Sequence, residues 1–151
     1  MMPGGGMPGG MMPGGFPGGG IMNVGPDKVV KVKVPVVCLE YGKKDPNPRL
    51  KYEIRPIESF TQQPSVVELC KMVGRGEVSQ NTAEAVAWHL SSGVTFKELA
   101  GKNRTESLDG LVEKFFSKNE LNAAGMWVKE AAKRAEAAAQ RASAPANSLG
   151  R

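Results

Sequence analysis

Apolar positions along the chain switch from a period of two to the helical period. Val30, Val32, Val34, Val36 and Cys38 recur at every second position, with Lys31 and Lys33 between them. That is the alternation of a strand with one buried face. Pro35 removes an N–H from any ladder, so the strand is an edge or is bent there. Val37 and Leu39 are apolar too, which predicts that 36–39 is buried on both faces and places the Cys38 thiol inside the domain. Residues 42–48 carry Gly, Asp, Asn and two prolines, a turn signal. Leu50, Tyr52 and Ile54 then alternate with Lys51, Glu53 and Arg55, which completes a predicted hairpin.

Beyond it the period lengthens. Pro64 suits the first turn of a helix whose apolar face is Val66, Val67, Cys70 and Val73, ended by Gly74-Arg75-Gly76. Ala83, Val86, Ala87 and Leu90 follow at i, i+3, i+4 and i+7, with Ser79 as N-cap and Gly93 as stop. Thr95-Phe96-Lys97-Glu98 reads as a capping box opening a short helix to about Gly101. Ser107 is expected to cap another, through Leu108, Leu111, Val112 and Phe115. Asn119 is expected to cap a long helix through Leu121, Ala124, Val128 and Ala131 to about Ala142.

These elements describe an α+β fold, with a small antiparallel sheet at about 29–57 followed by a four- to five-helix bundle-like region. At 151 residues the chain suits one domain, expected at 28–142. Residues 1–27 form a Gly/Pro/Met-rich leader with a repeated Met-Pro-Gly-Gly unit, too poor in burial to offset the entropy of ordering it, and 143–151 form a tail. Both are expected to be disordered. A net charge of +5 does not mark a nucleic-acid protein, because the basic residues are scattered and the aromatics, 6% of the chain, do not interleave with them. No apolar run approaches the roughly 20 residues needed to cross a bilayer, and no charged head with an apolar segment marks a signal peptide.

Candidate chemistry is sparse. Cys38 and Cys70 are too few for a disulfide scaffold and lack CxxC spacing, and whether they pair is left open by the sequence. Gln80, Glu84 and Trp88 lie one turn apart and form a stripe beside the apolar face of their helix, which puts Glu84 at the edge of the core. His89 projects nearly opposite that face and is expected to be solvated, with no neighbour at metal-ligand spacing. No metal or cofactor is expected. A thiol nucleophile at Cys38 with His89 as base is the alternative reading, a cysteine-dependent hydrolase or transferase.

The pairing of Val-Pro-Val-Val-Cys38-Leu-Glu-Tyr-Gly-Lys with Gln80-Asn-Thr-Ala-Glu84-Ala-Val-Ala-Trp88-His-Leu resembles a group of uncharacterised planctomycete-type exported proteins. More distantly, the two segments are similar to the thioester domains of Gram-positive surface adhesins. There a strand cysteine and a helix glutamine, four residues before a tryptophan, form an internal thioester. Carried over, Cys38 supplies the sulfur, but Glu84 stands where the acyl-donor glutamine is found, and Gln80 lies one turn earlier. The resemblance implies an exported or envelope-associated binding or structural module, non-enzymatic, facing a protein or surface ligand through Cys38, Gln80, Glu84, Trp88 and His89.

Overall fold

The computed structural model describes residues 23–145. The expectations for the leader up to residue 22 and for the tail from 146 lie outside them. The chain divides into two compact units at Val32 and Lys33. In the first, Lys28 N–H closes a turn on the Gly25 carbonyl at 3.0 Å, and Val29, Val30 and Val32 are exposed.

The second unit is α+β. After a 3-10 turn at Ile57–Ser59 come helices α1 (Pro64–Gly74), α2 (Gln80–Ser92) and α3 (Phe96–Gly101), strands β1 (Asn103–Glu106) and β2 (Val112–Lys114), and the long helix α4 (Lys118–Ser143). Helix α4 packs on both α1 and α2, and α1 packs on α2. Leu69 and Met72 of α1, Val86 of α2 and Leu99 of α3 are fully buried in this core. Both α2 and α4 also bury alanines, Ala83 and Ala87 on one and Ala124 and Ala131 on the other.

Helix ends follow local chemistry. Pro64 opens α1, and the chain leaves it through a Schellman turn in which Gly76 N–H donates to the Val73 carbonyl at 2.9 Å and Glu77 N–H to that of Met72 at 3.0 Å. This turn needs a left-handed residue, and Gly76 has φ +71°. Gly93 closes α2 at φ +68°. The Thr95 capping box forms as expected. Arg134 of α4 reaches Glu77, beyond the end of α1, at 2.6 Å and Glu130 at 2.7 Å.

Three expectations are corrected. The sheet is not at 29–57, where no strand forms; it is the two-stranded antiparallel pair β1–β2. Pro35, Pro46, Pro48 and Pro56 punctuate the earlier region, and its alternating residues other than the half-buried Cys38 are exposed, Ile54 fully so. The helix expected from Ser107 is instead this hairpin. Gly110, at φ +77°, makes a turn in which its N–H donates to the Ser107 carbonyl, and Leu108 and Leu111 stay in solvent. An amphipathic helix there would have had no neighbour to cover its stripe. Finally, α4 is capped by Ser117, not Asn119: Ser117 and Glu120 form a reciprocal capping box, whereas Asn119 has Asn122 three residues on and no carboxylate to return the bond.

Removing that cap tests its weight. Ser117→Ala is expected to cost about 1 kcal/mol, read as a lower denaturant midpoint with an unchanged m-value, because Glu120 N–H loses its acceptor.

Candidate functional site

Helix α2 buries one face in the core and offers a second to the chain before the helices. Its positions 80, 84, 88 and 92 fall one turn apart on one stripe. Gln80 Nε2 donates to the Val36 carbonyl at 3.1 Å. Both Glu84 carboxylate oxygens accept from Cys38 N–H, at 3.2 and 3.3 Å. Ser92 Oγ donates to the Leu39 carbonyl at 3.3 Å and accepts from Tyr41 N–H at 3.1 Å. Residues 36–41 therefore form a strap running parallel to α2, with the Val36 and Leu39 carbonyls and the Cys38 and Tyr41 N–H groups bonded to helix side chains. From Gln80 to Ser92 the helix rises ~18 Å, and five residues of extended chain cover ~17 Å, so the strap is nearly fully extended.

Trp88 fills the gap between Glu84 and Ser92 on the stripe with an aromatic contact. Its ring meets the Tyr41 ring edge-on at 5.1 Å, and Phe115 and Phe116 at 5.4 and 5.7 Å. The Lys102 ammonium sits over the Tyr41, Trp88 and Phe115 rings at 5.1, 5.5 and 5.4 Å, where the negative ring faces attract it. Trp88 Nε1 is buried without a hydrogen-bond partner among the described residues.

The site residues named from the sequence divide into two groups. Cys38, Gln80, Glu84 and Trp88 come together along the strap. His89 stands apart and is half-buried where solvent exposure is expected: its ring stacks on Phe96 at 4.5 Å, and Nδ1–H donates to the Val94 carbonyl at 2.8 Å. It is held there because Gly93 turns the chain back and brings Val94 and Phe96 alongside. Cys38 is half-buried and not inside the domain, since the strap lies on the outer side of α2. Its thiol donates to the Glu40 carbonyl at 3.3 Å. No hydrogen bond joins Cys38 to His89 among the described residues.

Both cysteines are free. Cys70, expected in the core, is half-buried on α1 and borders a hollow of about 240 Å³ between that helix and Val36, Val37 and Leu39 of the strap. Burial pushes its thiol up, away from the reactive thiolate form. A second hollow, of about 390 Å³, lies between α1 and α4 and shares no residue with the strap site. Among the described residues no three His, Cys, Asp or Glu side chains converge to hold a metal ion.

Ser92, Tyr41 and Lys102 complete the site and went unread in the sequence. Ser92 carried a signal, because it continues the spacing of Gln80, Glu84 and Trp88 by one more turn. Lys102 carried none, since the three rings around it come from three separate segments. Comparison with known protein families, with curated proteins and with solved structures returns no match to the chain.

Burial raises the Glu84 carboxyl above its ordinary value; the Cys38 N–H opposes that shift and Asp45 adds to it. A carboxyl raised in the folded state binds its proton more tightly there than in the unfolded chain, so its contribution to stability is full in acid and declines as pH rises through the raised value. Glu84→Ala removes both the titration and the acceptor for Cys38 N–H. The stability advantage of the wild type over Glu84→Ala is expected to be largest near about pH 3.5 and to shrink towards about pH 7, measured by urea unfolding. At either pH, amide exchange at Cys38 should accelerate in the variant.

Proposed function

We propose that this chain is a non-enzymatic binding or structural module, exported or envelope-associated, built on a thioester-domain-like core that lacks its acyl-donor glutamine. The observation that carries the reading is the bifurcated bond from Cys38 N–H to the Glu84 carboxylate. It joins the Cys38 main chain to the Glu84 side chain, and these are the two positions that the resemblance pairs. A carboxylate there is a poor acyl donor for a thiol, so the pair serves as a latch on the strap and forms no thioester. The engaged state of the other groups supports the same reading: the thiol proton is directed to Glu40 and the His89 Nδ1 proton to Val94, leaving no oriented base on the sulfur. Among the described residues, no helix is long and apolar enough to cross a membrane.

Two measurements test this. Native alkylation at neutral pH is expected to modify Cys38 no faster than an ordinary exposed thiol; fast, stoichiometric modification of Cys38 alone would favour the cysteine-enzyme reading. Glu84→Gln restores the amide, and a thiol turned from the Glu40 carbonyl towards it would draw on much of the roughly 7–11 kcal/mol available from effective concentration. Its intact mass is expected to fall by one ammonia and to return, with a free thiol, on treatment with ammonia. A folded Glu84→Gln protein that keeps its full mass and a free Cys38 thiol would remove the thioester-like core from the proposal.

A further inference from the structure

Residues 50–55 combine exposed apolar side chains with a largely unbonded main chain. Leu50, Tyr52 and Ile54 are 61%, 64% and 103% exposed. From Lys51 to Arg55 no backbone N–H or carbonyl has a partner among the described residues. Upstream the turn is closed: Arg49 N–H donates to Asn47 Oδ1 at 2.9 Å, Leu50 N–H to the Asn47 carbonyl at 3.0 Å, and Asn47 N–H to the Tyr52 hydroxyl at 2.8 Å. An apolar face with an open main-chain edge is a template for strand pairing.

The sequence of this edge is symmetric about Tyr52. It reads Pro48-Arg49-Leu50-Lys51-Tyr52-Glu53-Ile54-Arg55-Pro56, so that proline mirrors proline, basic mirrors basic and aliphatic mirrors aliphatic. The one asymmetric pair is Lys51 and Glu53, and its charges are opposite. We propose that residues 50–54 pair antiparallel with the same residues of a second copy of this chain, on a two-fold axis through Tyr52. In that register Leu50 of each copy lies opposite Ile54 of the other, Tyr52 opposite Tyr52, and Lys51 opposite Glu53 twice. An isologous interface requires this self-complementarity, and opposite charges facing across a strand pair stabilise it.

The local bonding also selects the phase of the ladder. Leu50 N–H is committed to the turn, so positions 50, 52 and 54 take the non-hydrogen-bonded sites, and Lys51 and Glu53 exchange N–H and carbonyl bonds across the axis. Arg49 N–H is also committed, and the prolines cap both ends, so the ribbon extends no further. Glu53 already meets Arg55 of its own chain on the polar face. An interface this short buries less than the roughly 1,000 Å² of a stable complex, and the dimer is therefore weak and reversible.

The test uses the full-length chain. Sedimentation over about 10 μM to 1 mM should show the average mass rising from monomer towards dimer. Lys51→Glu should weaken the dimer about tenfold, and Lys51→Glu with Glu53→Lys should restore it. Because these side chains lie in solvent, the variants stay folded. Tyr52→Cys places two thiols across the axis with Cα atoms about 4.5 Å apart, within disulfide range, and mild oxidation should give a dimer whose bridge maps to residue 52 in both copies. Lys51→Cys alone should not crosslink with itself, but mixed with Glu53→Cys it should. A chain that stays monomeric with rapid exchange at 51–55 would overturn the proposal, leaving this edge for a different protein. So would a dimer indifferent to the charge swap, or bridges that do not follow this register.

Discussion

Everything on the outer side of α2 depends on one arrangement, a helix that satisfies the main chain of an extended segment with its side chains. A peptide laid against a protein loses water from its N–H and carbonyl groups, and normally a neighbouring strand replaces it. Here no strand is adjacent. Gln80, Glu84 and Ser92 supply instead a donor, an acceptor and a group that does both, at intervals that match an extended chain. The match is geometric, because two turns of helix rise about as far as three residues of strand.

That arrangement makes α2 the hub of the second unit. Its alanine face lets α4 approach, its polar stripe carries the strap, and Trp88 joins the two by belonging to the core while touching Tyr41. Lys102, arriving from the end of α3, closes the aromatic cluster with a positive charge. The strap is thereby tied to the helices at its polar groups and at its aromatic end. Glu84 is the stripe's charged member: burial raises its carboxyl, and its bond to Cys38 only partly opposes that.

Much of this was legible. The spacing of Pro64, Ser79, Gly93 and Thr95 marks α1, α2 and α3 closely, because caps and stops act over a few residues. The stripe of Gln80, Glu84 and Trp88 is also plain in the sequence, as is the nearness in kind of the Cys38 segment to it. What could not be read is what the alternating valines would meet. Period-two alternation describes a segment able to pair, and pairing needs a second segment in reach; prolines at 35, 46, 48 and 56 withhold it within the chain. The opposite error at 107–115 has the same root. Leu108, Leu111, Val112 and Phe115 have helical spacing, but only Phe115 finds cover, and the Asp109-Gly110 turn prevails. The Asn119 cap was displaced by a competitor two residues away, a choice decided by which cap could be reciprocated.

The strap also divides positions by how they can vary. What residues 36–41 contribute to the latch is main-chain atoms, Tyr41 adding its ring, so at Cys38 any residue with an N–H and room for its side chain can serve. Only proline removes the donor that Glu84 accepts. On the helix the reverse holds, because Gln80, Glu84 and Ser92 act through their side-chain atoms. The polar bonds thus tolerate substitution along the segment being held and restrict it along the segment that holds it, while Val37 and Leu39 are limited by their packing against the core.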